Sequence, residues 1–178
     1  MANTRERIGL DKKTLEALYV KLEIPIYNVV YRWLWDASEA RDVTQEAFLK
    51  IWNARDRVDL ETVEPLLYRT ALNLASNRRR SLRLWKWLGL DSAGDEPVRQ
   101  TTTDDTLDRE NRRHRVRAAI ESLPERLRQV VMLSEYSELS YEEIATALAI
   151  PIGTVGSRRS AALRELATRL DGIEDIDA

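Results

Sequence analysis

Residues 140–170, SYEEIATALAIPIGTVGSRRSAALRELATRL, decide the fold of the second half of the chain. Ser140 followed by Glu143 is a capping-box pattern that begins a helix. Residues 149–152 are too short for anything but a turn, and a second helix opens at Gly153. The apolar residues of this second helix recur at helical spacing and are predicted to point inward. They are Val155, Ala162, Leu163, Leu166 and Leu170.

Two helices joined by a short turn have two interpretations. In a DNA-binding helix-turn-helix, the second helix enters the major groove. Small residues on its exposed face would allow close approach to the backbone, while Arg158 and Arg159 reach phosphates or guanine edges. An αα-hairpin packed into a helical bundle gives the same pattern. The pattern alone leaves both interpretations open.

Helical periodicity also organises the first half of the chain. An apolar stripe begins at Leu15, and Pro25 is expected to kink or split its helix. A second helix is predicted after Ser38 as its N-cap, and a third has Pro65 in its first turn. The inward stripes of these two helices are predicted to be Val43, Ala47 and Ile51, and then Leu67, Ala71 and Leu74. We find no convincing strand and therefore predict an all-α fold.

Charge divides the chain into three blocks, although the formal net charge is only −2. Residues 1–88 hold 16 Lys and Arg against 12 Asp and Glu, residues 89–111 hold 2 against 7, and residues 112–178 hold 10 against 11. Helical periodicity stops in the acidic middle block, so we predict a flexible linker there between two small helical domains. Before the acidic tail that begins at Asp171, the third block has a net charge of +3, so two mildly basic units lie around an acidic spacer, which suits a nucleic-acid binder.

The third helix ends in a basic run, residues 78–86, which carries five positive charges in nine residues. Tryptophans at positions 85 and 87 interleave with the end of this run. Phosphate neutralisation with base stacking explains the composition. A solvated helix end explains the charges equally well, because cations favour a helix C-terminus. The tryptophans favour DNA binding.

No residue pattern supports catalysis. The chain has no Cys, and its single histidine, His114, lies among arginines. Cys-based and His-rich metal sites and thiol nucleophiles are therefore excluded. We predict no metal, no cofactor and no enzymatic activity. The N-terminus has no apolar signal segment, and no apolar run approaches the ~20 residues that cross a bilayer, so we expect a cytoplasmic protein without membrane insertion.

Residues 42–52, DVTQEAFLKIW, resemble the segment D-[LV]-x-Q-E-x-F-L-x-[LI]-W of the bacterial sigma-70 family of RNA polymerase sigma factors, extracytoplasmic-function (ECF) group. In that family the segment docks on the clamp helices of the polymerase. Residues 65–80 are similar to the helix that meets the promoter minus-ten element, and residues 139–158 resemble the minus-thirty-five reader. Ala149 departs from the family pattern, which usually has a turn glycine there, and Gly156 stands where Lys or Arg is frequent.

The resemblance implies sigma region 2 in residues 1–88, a linker in residues 89–111 and sigma region 4 in residues 112–178. The partners it implies are core RNA polymerase, promoter DNA and an anti-sigma factor. It also implies three contact sets, together with a pocket for an unstacked base in residues 57–64. The core polymerase set is Asp42, Gln45, Glu46 and Leu49. The minus-ten set is Arg69, Asn73, Asn77, Arg78 and Arg80. The minus-thirty-five set is Thr154, Gly156, Ser157, Arg158, Arg159 and Ser160.

A one-component regulator is the second hypothesis, with residues 112–170 as its DNA module and residues 1–88 as a sensor or dimerisation domain. Such a regulator would bind its DNA site alone, whereas a sigma factor needs core polymerase to open DNA. The segment at residues 42–52 favours the sigma factor.

Overall fold

The computed structural model describes residues 9–88 and 104–171 of the chain. These residues form seven α-helices and no strand, which confirms the predicted all-α fold. A single 3-10 turn at Arg55–Arg57 leads from the second helix towards the third. The helices are α1 (Lys12–Leu34), α2 (Ala37–Asn53), α3 (Val63–Trp87), α4 (Asp104–Ser122), α5 (Glu125–Tyr136), α6 (Tyr141–Leu148) and α7 (Ile152–Asp171).

Helices α1, α2 and α3 pack on one another and enclose the first part of the core. The predicted stripe of α2 is fully buried, whereas Leu74 at the end of the α3 stripe is only half-buried. Helix α2 begins earlier than expected, because Asp36 and not Ser38 is its N-cap. The Asp36 carboxylate accepts a hydrogen bond of 2.8 Å from the Glu39 backbone N–H. Both residue types are good N-caps, so sequence alone does not separate them.

Pro25 does not split α1, which runs from Lys12 to Leu34. A proline inside a helix removes one backbone hydrogen bond and costs about 3 kcal/mol. Residues on both sides of Pro25 are buried in the same core: Leu18, Leu22, Ile26, Val29, Val30 and Trp33. Burial of each such side chain is worth about 1.5–3 kcal/mol, so packing of the whole stripe outweighs the local cost.

In the second half, the capping box at the start of α6 is confirmed. The Ser140 hydroxyl accepts a 3.3 Å hydrogen bond from the Glu143 N–H, and the Glu143 carboxylate accepts one of 2.7 Å from the Ser140 N–H. Hydrogen bonding to Ser140 lowers the pKa of Glu143. Within α7, Val155 and Ala162 are buried as predicted, but Leu163 is exposed.

Helix α4 begins at Asp104, inside the stretch predicted as a linker, while residues 89–103 of that stretch lie outside the described residues. From Glu110 to Val116 every residue of α4 is exposed, and burial begins only near Ala119. A helix segment without a buried face carries no apolar periodicity, and this explains why the sequence pattern did not reveal it.

The two groups of helices pack against each other, α1 on α5 and α3 on α6, and their buried side chains form one hydrophobic cluster. Three arginines lie on aromatic rings across this contact. The guanidinium carbon of Arg128 is 4.0 Å from the centre of the Trp33 ring. Those of Arg32 and Arg117 are 4.0 Å and 5.6 Å from the Tyr136 and Trp35 rings, respectively. Each such contact is worth about 0.5–2 kcal/mol.

The turn between α6 and α7 contains Ala149 in the left-handed region, with φ 53° and ψ 48°. It is closed by a 3.0 Å hydrogen bond from the Ile150 N–H to the Ala145 carbonyl oxygen. A β-carbon in this conformation costs roughly 1–2 kcal/mol, which glycine avoids.

We expect Ala149→Gly to stabilise the protein, because the relief of this strain exceeds the extra chain entropy of glycine. The gain should be about 1 kcal/mol, or about 2–4 °C in Tm for a chain of this size. Thermal unfolding of the full chain measures it. The matched control is Ala167→Gly at an exposed position of α7, which should lower stability by about 1 kcal/mol. A lower Tm for Ala149→Gly would contradict the assigned turn conformation.

Candidate functional site

The outer face of α2 carries the predicted core polymerase set. Asp42, Gln45 and Leu49 are exposed and Glu46 is half-exposed, while the opposite face is buried against α1 and α3. Glu46 lies 3.6 Å from the Lys50 ammonium, an exposed pair within one turn of helix. These four side chains need not hold the fold together and are free to contact a partner.

Two apolar residues that the sequence analysis missed extend this face. Val20 and Ile24 on α1 are 83% and 68% exposed, and Ile24 lines the same surface depression as Gln45. Leu49 on α2 is 60% exposed. A signal was present in the sequence, because Val20 and Ile24 lie one helical turn apart and off the buried stripe of α1. Clustered exposed apolar side chains mark a protein-binding surface more than a DNA-binding one.

The minus-ten set lies along one side of α3. Arg69, Asn73, Asn77 and Arg80 are all exposed and recur at steps of three and four residues, so they share a face. Arg78 lies apart from them and is half-buried. Its Nε is 3.1 Å from the Glu39 carboxylate of α2. The structure therefore brings four of the five predicted residues together and pairs the fifth within the protein.

The side chains at the basic end of α3 differ in exposure, which the sequence did not indicate. Arg79 is half-buried, and burial lowers its pKa, with the nearby charge of Arg83 lowering it further. Trp87 is 82% exposed, which leaves its ring free for stacking. The side chain of Trp85 lies outside the described part of the chain.

The minus-thirty-five set lies in the first half of α7. Ser157 and Ser160 are exposed, and Thr154, Gly156, Arg158 and Arg159 are half-exposed. The Ser157 hydroxyl donates to the Thr154 carbonyl oxygen at 3.1 Å and so is satisfied within the helix. A β-carbon built on Gly156 would lie 3.8 Å from Tyr141 Cε2, an ordinary contact, so this position has room for a side chain.

Arg159 is already paired within the protein. Its Nη2 and Nε lie 2.7 Å and 2.9 Å from one Glu135 carboxylate oxygen of α5. Hydrogen bonding to that carboxylate raises the pKa of Arg159. This pair also ties α7 to α5.

Two further kinds of site are absent from the described residues. Within residues 9–88 and 104–171, no three His, Asp or Glu side chains are grouped so as to hold a metal ion. Over the same ranges, no helix is both long enough and apolar enough to cross a membrane.

Comparison with known families gives two matches. Sigma-70 region 2 matches residues 18–84, and sigma-70 region 4 matches residues 113–166. The first match covers α2 and most of α1 and α3, and the second includes the whole of α5 and α6 and most of α7.

Curated relatives resemble the chain along most of their length. The RNA polymerase sigma-H factor of Pseudomonas aeruginosa is 34% identical over 157 residues, covering 83% of this chain and 81% of the relative. The ECF RNA polymerase sigma factor SigW of Bacillus subtilis is 33% identical over 142 residues, covering 75% and 76%. The ECF RNA polymerase sigma-E factor of Escherichia coli K12 is 32% identical over 157 residues, covering 83% and 82%.

Solved structures share the fold. CnrH in complex with the cytosolic domain of CnrY matches with a TM-score of 0.69 and 19% identity, over 92% of this chain and 91% of that one. The sigma factor RpoE of Bartonella quintana, in complex with the anti-sigma factor NepR, matches with a TM-score of 0.65 and 20% identity, over 89% and 98%. The family match in both halves excludes the one-component regulator. The chain belongs to the sigma-70 family of RNA polymerase sigma factors and, by its relatives, to the ECF group.

Proposed function

We propose that this chain docks on core RNA polymerase through α2, reads the promoter through α3 and α7, and so directs transcription initiation. The observation that carries the proposal is the outer face of α2. There, Asp42 and Leu49 are exposed, and Gln45 on the same helix shares a surface depression with the exposed Ile24 of α1. Acidic and apolar groups together repel DNA and suit a protein partner, in which the apolar side chains are removed from water.

The exposed side of α3 is proposed to contact the minus-ten element. Arg69 and Arg80 supply positive charge for phosphates, and Asn73 and Asn77 supply amide groups that hydrogen-bond base edges. Trp87 and the basic end of the helix suit stacking and phosphate contact with a single strand. The connection at residues 57–64 lies directly before α3 and is proposed to hold an unstacked base, as the resemblance implied.

The first half of α7 is proposed to be the minus-thirty-five reader. Apart from Ile152, its exposed residues are small, so the helix backbone can lie close to the duplex, and Arg158 is free to reach phosphate or a guanine edge. To contact DNA, Arg159 must first break its ion pair with Glu135. Exposed ion pairs are worth only about 0–1 kcal/mol, so this exchange is inexpensive.

The domain organisation and the cellular location of the protein are part of the same proposal. We infer that residues 1–88 and 112–178 act as the two functional domains on either side of the linker at residues 89–111. The protein is proposed to work in the cytoplasm, where it contributes binding and positioning and no catalytic chemistry of its own.

An anti-sigma factor is proposed as the controlling partner. One similar structure is a complex of this kind, RpoE with the anti-sigma factor NepR, and another holds CnrH with the cytosolic domain of CnrY. The exposed apolar residues on α1 and α2 offer such a partner a surface that polymerase also needs. A candidate protein can be tested by competition, and one that leaves core polymerase binding unchanged is not the anti-sigma factor of this chain.

The first prediction concerns the polymerase contact. The double variant Asp42→Ala with Gln45→Ala should bind core polymerase about 10-fold more weakly, since it loses two polar contacts at a protein interface. Both side chains are exposed, so Tm should change by less than about 2 °C. Core binding and thermal unfolding are measured together, with Glu165→Ala on α7 as the control. Unchanged core binding in the double variant would show that α2 is not the docking face.

A second prediction concerns promoter opening. Holoenzyme carrying Asn73→Ala should form open complexes about 10-fold more slowly, because one hydrogen-bonding amide to a base is lost. Core binding should remain intact. The control is Asn111→Ala, which removes an exposed amide from α4. If Asn73→Ala opens promoters as fast as the wild type, α3 does not read the minus-ten element through this residue.

The third prediction concerns α7. Gly156→Lys should strengthen binding of holoenzyme to a promoter duplex and steepen its salt dependence by about one unit, through one added phosphate contact. Replacing the helical glycine should also raise stability by roughly 0.5–1 kcal/mol. Thr168→Lys, at an exposed position farther along α7, is the control and should leave the slope unchanged. Equal slopes for wild type and Gly156→Lys would show that this face points away from DNA.

A further inference from the structure

A cavity of about 170 Å³ lies between the two groups of helices, where α1 and α3 meet α4 and α5. Four arginines line it, three from α3 and one from α5: Arg79, Arg80, Arg83 and Arg128. Two carboxylates, Glu121 and Glu125, also line it. Of these arginines, only Arg80 belongs to a contact set assigned above, and those sets do not explain Arg79 and Arg128, the two least exposed of the four.

Arg128 is the central group of the cavity, because it is only 4% exposed. Its guanidinium stacks on the Trp33 ring at 4.0 Å, so that its N–H groups point outwards from the edge of the stack. Two of these groups, Nε and Nη1, have no hydrogen-bond partner. Among the side chains that the structure describes, no carboxylate forms an ion pair with Arg128. A buried cation without a counter-charge is costly, and such groups are normally paired.

Three more buried polar groups around the cavity also lack partners: Trp33 Nε1, Ser76 Oγ and Arg79 Nη1. Each of them can donate a hydrogen bond. Together with Nε and Nη1 of Arg128, these groups make five donor atoms without acceptors on residues that line the same cavity. Burial lowers the pKa of Arg79, and the nearby charge of Arg83 lowers it further. This direction agrees with an excess of positive charge around the cavity.

The two carboxylates do not supply the missing acceptors. Glu121 Oε1 is held 3.1 Å from Arg117 Nε, one turn away on α4. Glu125 is exposed in the first turn of α5. Their charges favour the protonated form of Arg79, but neither makes an ion pair with it or with Arg128. Four cations therefore face two carboxylates in the cavity wall, one of which is already engaged.

We propose that this cavity binds a small phosphate-type oxyanion, with Arg128 and Arg79 as its principal ligands and Ser76 and Trp33 as further donors. A phosphate group presents several acceptor oxygens and pairs with the edge of a guanidinium through two parallel hydrogen bonds. The volume falls well short of the roughly 300–1,000 Å³ typical of drug-sized ligand pockets and suits a group of the size of a free phosphate. Because the donors come from both groups of helices, a bound anion holds α5 against α1 and α3.

The test is calorimetric titration of the full chain with inorganic phosphate, in chloride buffer at constant ionic strength. The wild type should show one saturable site. Arg128→Met should weaken binding at least 10-fold, and Arg126→Met, which removes an exposed charge from the same helix, should not. Thermal unfolding gives an independent readout. At phosphate concentrations ten times the wild-type Kd, the folding equilibrium constant of the wild type should rise about 11-fold, and that of Arg128→Met should rise by no more than about 2-fold.

Replacing an unpaired buried charge by an apolar side chain need not unfold the protein, and Arg128→Met is expected to fold. If it does not fold, Arg79→Met tests the same site from α3 and should also weaken phosphate binding at least 10-fold. The proposal is overturned if the wild type shows no saturable binding. It is equally overturned if the folded cavity variant binds as tightly as wild type, since the anion would then lie on the exposed basic end of α3.

Discussion

The stacking of the Arg128 guanidinium on the Trp33 ring joins the two halves of the molecule at a distance of 4.0 Å. Both side chains are buried, and two further arginine–aromatic contacts, Arg32 on Tyr136 and Arg117 on Trp35, lie across the same boundary. Such contacts are individually weak, about 0.5–2 kcal/mol, and they depend on keeping water away from the cation. These three contacts are therefore terms that a competing partner can replace one at a time, and they add to the hydrophobic cluster that both halves share.

This construction agrees with what a sigma factor has to do. The face of α2 that is proposed to bind polymerase remains open to solvent, whereas two of the residues proposed to contact DNA are paired within the protein. Arg78 pairs with Glu39 and Arg159 pairs with Glu135. Because these pairs are partly exposed, exchanging a carboxylate for a phosphate costs little, and these two arginines can stay paired within the free protein until the proposed contact with DNA forms.

The sequence predicted buried faces and helix caps correctly where residues within a single helix determine them. The stripe Val43, Ala47 and Ile51 and the capping box at Ser140 both follow from residue types at fixed spacing. The exposed side of α3 was predictable for the same reason. The sequence did not predict features that depend on contacts between distant parts of the chain. The start of α4 has no buried face, and the exposure of Leu163 depends on what α7 packs against. The sequence did contain a signal for the burial of Arg128. This charged residue directly follows Leu127 and precedes Val130, so it lies next to the apolar stripe of its helix.

The packing of α1 on α5 also sets an order of events during synthesis. Trp33 and its partner Arg128 are separated by almost 100 residues, so the ribosome completes α1, α2 and α3 well before α5 emerges. At roughly 5–20 residues per second, synthesis reaches Arg128 about 5–20 s after Trp33. Throughout that time, the surface of α1 that later receives α5 has no intramolecular cover. The nascent chain is thus open to polymerase or to a chaperone before it can close on itself.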